Sequence, residues 1–229
     1  MIEFNRRFVP KQMKLLIFDL DGTLIDSRQD LVNSVNSTLQ HFGRPGLAAK
    51  VITAYVGDGP SMLVRRTFDG STNLRLLREA CEFFLAHYRI HQLDNTRAFP
   101  GVDEMLVAAK SGLNGIKRHL TVLSNKPVDL VRSILDGLDL GKHFDSVYGG
   151  NSFRTQKPDP LGTKSILKAA GVPPQCGLII GDSRNDVYAG RNAGVWTCGV
   201  TYGFAPLTLR RARPDLLVQS TPELLSVLA

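Results

Sequence analysis

The chain lacks paired cysteines, a long apolar run and any basic stretch interleaved with aromatics, and each absence removes a class of function. Its three cysteines, Cys81, Cys176 and Cys198, are widely separated and form no CxxC pair. A zinc site or a disulfide framework is therefore not expected. Cys81 falls in an apolar helical pattern and is expected as packing; a nucleophilic role would need an activating histidine or helix terminus. No apolar run approaches the roughly 18 residues that a membrane span requires. The first residues carry Arg6, Arg7 and Lys11 before a short apolar stretch interrupted by Asp19 and Asp21, which is not a secretory pattern. A soluble, cytoplasmic protein without a membrane partner is the resulting expectation. Only Arg210, Arg211 and Arg213 form a tight basic cluster, broken by Pro214, so no nucleic-acid partner is expected. The P-loop pattern GxxxxGK[ST], internal repeats and low-complexity segments are all absent.

What is present describes an ordinary globular protein. Its 43% hydrophobic and 21% charged residues exclude wholesale disorder. Its 229 residues suffice for one sizeable core, or a core with a smaller companion. The formal charge of +7 has two readings, a solvated basic surface or a field that draws in anionic substrates. Short apolar runs at 14–20, 120–124, 146–148, 177–181, 195–200 and 216–218 have the character of buried parallel strands, continuous rather than alternating. Segments 102–110, 127–135, 161–170 and 184–193 carry apolar residues at helical spacing. This alternation predicts an α/β fold, a doubly wound parallel sheet. Between about 27 and 95 there are only helical patterns, at 30–42, 48–56, 61–67 and 73–92, separated by turn signals. The expected organisation is a core of residues 1–26 and 97–229 with an all-helical domain, 27–96, inserted after the first strand.

Four motifs follow strands or open helices. Asp19-Leu20-Asp21-Gly22 places two carboxylates at the end of the first strand, where open α/β sheets bind ligands. Alone, such a pair reads more readily as an acidic turn capping a strand. Together with Gly181-Asp182-Ser183-Arg184-Asn185-Asp186 after a second strand, it suggests oxygen ligands for magnesium, although Asp182 or Ser183 is also an ordinary helix cap. Ser124-Asn125-Lys126 sets a hydroxyl and backbone N–H groups before a helix, a natural phosphate seat. Lys157, in KPDP, offers an ammonium to offset clustered negative charge. Taken singly, these last two are also an ordinary turn serine and an exposed lysine.

The succession DLDGTL, LSNK, KPDP and GDSRND resembles the four motifs of the haloacid dehalogenase superfamily, over about residues 14–200. The helical insert resembles the cap of its phosphoglycolate phosphatase-like subgroup. Tyr55-Val56-Gly57-Asp58-Gly59 is similar to the cap loop, and Phe99-Pro100-Gly101-Val102 to the re-entry into the core. The resemblance implies a magnesium-dependent phosphatase acting on a small phosphorylated metabolite, 2-phosphoglycolate foremost. Asp19 would be the nucleophile, Asp21 the acid and then the base, and Thr23 would help position Asp21. Ser124, Asn125 and Lys157 would face the phosphate. Asp19, Asp182 and the Asp21 carbonyl would hold the metal, with Asp186 supporting it directly or through water. In the cap, Gly57, Asp58 and Gly59 would form a substrate loop, and Arg65 or Arg66 would meet a substrate carboxylate; adjacent helical residues diverge, so one of the two faces solvent.

Phe99 stands where relatives often have tyrosine, and Arg28 extends the first motif towards either substrate or solvent. Two rivals remain at this stage. A sugar phosphomutase would use the same aspartyl-phosphate and return the phosphoryl group to substrate. A non-catalytic phospho-receiver would have no need of the large insert.

Overall fold

Leu15–Phe18 forms a strand from which water is wholly excluded on both faces, the signature of a parallel sheet covered on each side. The computed structural model of the chain describes residues 3–4 and 8–229. They fall into two units, Met1–Ile25 with Ala98–Ala229, and Asp26–Arg97.

In chain order the first unit opens with β1 (Glu3–Phe4) and β2 (Leu15–Phe18). The second unit carries α1 (Arg28–His41), α2 (Ala49–Tyr55), α3 (Pro60–Thr67) and α4 (Leu74–His91). The first unit then resumes with α5 (Val102–Ser111), β3 (His119–Leu123), α6 (Val128–Gly137), β4 (Ser146–Tyr148) and α7 (Leu161–Ala170). It ends with β5 (Gly177–Gly181), α8 (Arg184–Ala193), β6 (Trp196–Val200), α9 (Pro206–Ala212), β7 (Leu216–Val218) and α10 (Thr221–Leu228). All six expected strands form. Gly171 and Gly194 end their helices in the left-handed conformation, at φ 63° and 80°. Pro127, expected inside the first turn of α6, instead has extended backbone and caps it.

The sheet order is β1-β7-β6-β5-β2-β3-β4. From β2 the chain winds outward through β3 to β4, then returns to β5 on the other side of β2 and winds the opposite way. Parallel strands joined through helices and running outward on both sides of β2 make the doubly wound arrangement. The reversal opens a crevice beyond the carboxyl ends of β2 and its neighbours. Register aligns those ends, since Phe18 lies opposite both Val122 and Ile180. Asp19, Ser124 and Asp182 consequently emerge at one edge. The departure from expectation is β1, a two-residue edge strand that pairs antiparallel with β7. Among the described residues, no helix is long and apolar enough to cross a membrane.

In the helical unit α4 packs against α1 and α3. Asn73 caps α4 by accepting the Leu76 N–H at 3.1 Å. Arg44 lies 4.6 Å from the Phe68 ring centroid and pairs with Asp69. Arg28 spends its guanidinium on Asp26 at 2.8 and 2.5 Å. Buried Asp30 joins the two ends of the unit by accepting from the Asn95 and Thr96 N–H groups, the Asn95 amide and the Thr96 hydroxyl, at 2.7–3.0 Å. Burial would raise its pKa, but the bonds from Thr96 and Asn95 outweigh that and hold it below the ordinary carboxylate value.

An asparagine at this position turns an NH₂ group towards donors. Asp30→Asn is expected to cost about 1–3 kcal/mol at pH 7. Because the folded-state pKa is depressed, the stabilisation is present above the unfolded value of about 4 and fades as pH falls through the folded value. Denaturant unfolding at pH 7 and at about pH 3 checks both the size and the sign.

Candidate active site

Three buried or nearly buried carboxylates, Asp19, Asp182 and Asp186, bring one oxygen each within 4.8 Å of one another. Asp19 is the first residue after β2, held by its N–H to the Ile180 carbonyl at 2.9 Å. Asp182 follows β5 directly, and Asp186 sits in the first turn of α8. There Asp186 Oδ2 accepts the Ser183 N–H at 3.1 Å and the Ser183 hydroxyl at 2.7 Å, closing the helix N-terminus. Of the two expected caps, Ser183 takes the position, which leaves Asp182 to the cluster.

Lys157 supplies the counter-charge. Its Nζ lies 2.9 Å from Asp19 Oδ1 and 2.6 Å from Asp186 Oδ1, with the side chain 3% exposed. Burial would lower the lysine pKa, but the carboxylates of Asp186 and Asp19 prevail and hold it above its usual value. One ammonium does not neutralise three carboxylates. Burial pushes the Asp19 carboxyl up to about 6, against the pull of Lys157 and with a further push from Asp186. Burial, with Asp19 and Asp186 nearby, also raises Asp182 well above its ordinary value. An all-oxygen cluster with excess negative charge fits a hard divalent cation such as magnesium.

Sequence reasoning assigned no role to Lys126, yet its Nζ pairs with Asp21 Oδ1 at 2.8 Å, both side chains largely buried. The only sequence signal was its place directly after Ser124-Asn125. Ser124 is buried at the end of β3, its hydroxyl accepting the Lys126 N–H at 3.3 Å. Asn125, expected against phosphate, bonds through its side-chain amide to the Lys157 backbone. It donates to the Lys157 carbonyl at 2.8 Å and accepts the Lys157 N–H at 3.0 Å, thereby placing the lysine. Thr23 is also buried; its hydroxyl has no hydrogen-bond partner among the described residues, and its carbonyl accepts the Tyr202 hydroxyl at 3.0 Å.

The remaining expected residues lie in the helical unit. Gly57 and Gly59 adopt φ of 117° and 80°, conformations that side chains resist. Arg66 straps their loop, donating to Asp58 and to the Tyr55 carbonyl, the latter at 2.9 Å. Arg65 is exposed, as expected for one of two adjacent arginines.

Residues 16–200 match the family model of haloacid dehalogenase-like hydrolases. The chain belongs to this family. Within the haloacid dehalogenase-like hydrolases it falls in the phosphoglycolate phosphatase-like subgroup. It is 36% identical to Phosphoglycolate phosphatase 1 of Pseudomonas aeruginosa, over 95% of this chain and 80% of that one. Phosphoglycolate phosphatase of Chromobacterium violaceum is 35% identical, over 93% and 96% of the two chains. The crystal structure of a predicted phosphoglycolate phosphatase from Haemophilus somnus 129pt superposes with a TM-score of 0.88 at 29% identity, over 95% of this chain and 99% of that one.

Proposed function

We propose that this phosphoric monoester hydrolase cleaves 2-phosphoglycolate through an aspartyl-phosphate on Asp19, with magnesium held at the acidic cluster. The observation that carries this reading is the pinning of one Asp19 oxygen by Lys157 at 2.9 Å, while the other has no partner among the described residues. A carboxylate fixed by one oxygen and open at the other is arranged to attack. The relatives' shared name supports the substrate.

In the first step an Asp19 oxygen bonds to phosphorus as the ester P–O bond breaks, and Asp21 gives its proton to the departing alcohol. In the second, Asp21 takes a proton from water, whose oxygen attacks phosphorus and displaces Asp19. Inorganic phosphate leaves, Asp19 is again a carboxylate, and Asp21 has regained the proton it gave. Ser124 and Lys157 hold phosphoryl oxygens, and Asn125 keeps Lys157 in place. Magnesium, when bound by Asp19, Asp182 and the Asp21 carbonyl with Asp186 behind, supplies positive charge to the transferring group. The helical unit, Asp26–Arg97, acts as the cap that excludes bulk water. Its loop at 56–60, strapped by Arg66, selects the leaving group, and Arg65 is the cation available to a substrate carboxylate.

Phosphate release from 2-phosphoglycolate and from uncharged-tail esters of similar size, with and without magnesium, tests the reading. Magnesium dependence and preference for 2-phosphoglycolate are expected. Full activity in excess chelator overturns the metal assignment, and equal rates on all esters overturn the substrate. Isomer interconversion without net phosphate release converts the enzyme to a mutase.

Arg65→Ala is expected to lose about ten- to hundredfold of the preference, or 1.5–3 kcal/mol. Arg66→Ala is expected to impair both substrates by loosening the loop. Equal damage to both substrates by Arg65→Ala removes Arg65 as the reader of the carboxylate.

A further inference from the structure

The segment after β6 does not belong to any of the four motifs, yet it converges on Asp182. The Phe204 N–H donates to Asp182 Oδ2 at 2.5 Å. Gly203 lies so close that a Cβ there would overlap both the Asp182 side chain and the Gly22 carbonyl. Gly22, at φ 82°, also lies against Asp182, and a Cβ on it would strike the same carboxylate. The Tyr202 hydroxyl reaches across to the Thr23 carbonyl at 3.0 Å, and its ring packs edge-on against Phe99 at 4.8 Å. The Tyr202-Gly203-Phe204 loop therefore bonds to the turn after β2 at one end and to the carboxylate after β5 at the other.

We infer that this loop is a positioning element for magnesium: it occupies Asp182 Oδ2 with a backbone donor, sets the orientation of the carboxylate, and fixes its spacing from the turn that follows Asp19. The inference rests on the reading of Asp182 as a metal ligand. Two features point beyond simple packing. A backbone N–H cannot be replaced by another rotamer, so it orients a carboxylate more rigidly than a side chain does. The tie to Thr23 links the two strand ends that must share one cation, so their separation is held whether or not the ion is bound. Preorganisation of this kind is how supporting groups raise the affinity of a metal site.

The measurement is the magnesium dissociation constant of the full chain, taken from the rise of the unfolding midpoint with magnesium concentration. The midpoint in chelator serves as the record of packing alone. Asp182→Ala, Gly203→Ala and Tyr202→Phe are compared with wild type. Gly203→Ala, which pushes on Asp182 directly, is expected to weaken magnesium at least about tenfold; supporting groups around metal ligands typically carry tenfold to hundredfold in affinity. Tyr202→Phe, which removes only the tie to Thr23, is expected to weaken it about three- to tenfold. If Gly203→Ala does not fold, Tyr202→Phe decides alone. A loop that only packs lowers the midpoint in chelator and leaves the magnesium constant at its wild-type value, and that result overturns the inference. If Asp182→Ala also binds magnesium as tightly as wild type, the metal assignment fails; if Asp182→Ala weakens binding while the loop variants do not, the loop inference fails by itself.

Discussion

Asp19→Asn is expected to release phosphate at least about 10⁴-fold more slowly than wild type, the scale seen when a nucleophile is removed from a machinery that acts as a unit. The substitution keeps the shape of the side chain and replaces an anionic oxygen by an amide that does not attack phosphorus. It also removes the charge that faces Lys157 Nζ at 2.9 Å and one carboxylate of the cluster. Two explanations for inactivity are thereby possible, loss of the nucleophile and loss of metal affinity, and raising the magnesium concentration separates them. A metal defect is rescued by mass action, whereas a missing nucleophile is not. Intact-mass measurement after a rapid quench supplies the second readout: wild type gains one phosphoryl group during turnover and the variant gains none. Near-wild-type phosphate release from a folded variant removes Asp19 from its assigned role.

The acidic strand ends were legible because a strand buried on both faces has no alternation to obscure it. Leu15–Phe18 and Gly177–Gly181 are continuous apolar runs, and each terminates directly in the chemistry that follows. The contacts between motifs were not legible in the same way. Lys126 meets Asp21 across 105 positions of sequence, an encounter set by the register of β2 and β3 rather than by any local pattern. The tie from Asn125 to Lys157 was hidden for a related reason. An amide beside a phosphate-binding serine suggests a ligand contact, and nothing local reveals that the Lys157 backbone comes within 3.0 Å of it. The helices α9 and α10 were passed over as well. In α9 only Leu209 and Ala212 are buried, and Arg210 and Arg211 dominate its short sequence, so its apolar face is too narrow to announce a helix. In α10 the helix is short and lies directly after a strand, but Ser220 caps it and Leu224, Val227 and Leu228 are buried.

Asp21→Asn is expected to slow turnover of an unactivated ester by about 10²–10⁴-fold, the usual range for a positioned acid–base group. The residue is asked to act twice, and the two acts are separable. Protonation of the leaving oxygen matters little when the departing group is already a stable anion, as in a nitrophenyl ester, so phosphorylation of Asp19 by that substrate should remain fast. Hydrolysis of the aspartyl-phosphate still needs a base, whatever the first leaving group was. The variant should then produce a burst of nitrophenol of about one equivalent per enzyme, followed by a slow steady state, while the unactivated ester shows no burst. The structure gives reason to expect that the asparagine is tolerated in place. Lys126 holds Asp21 Oδ1 at 2.8 Å, and the amide oxygen of an asparagine accepts the same bond, so the side chain keeps this anchor while it loses its charge and its capacity to exchange a proton. Rapid-mixing measurement of nitrophenol release, with acid quench to quantify the phosphoenzyme, reads both halves. Equal slowing of the two esters without a burst would mean that Asp21 contributes its backbone carbonyl and its charge, and that the proton passes through another group.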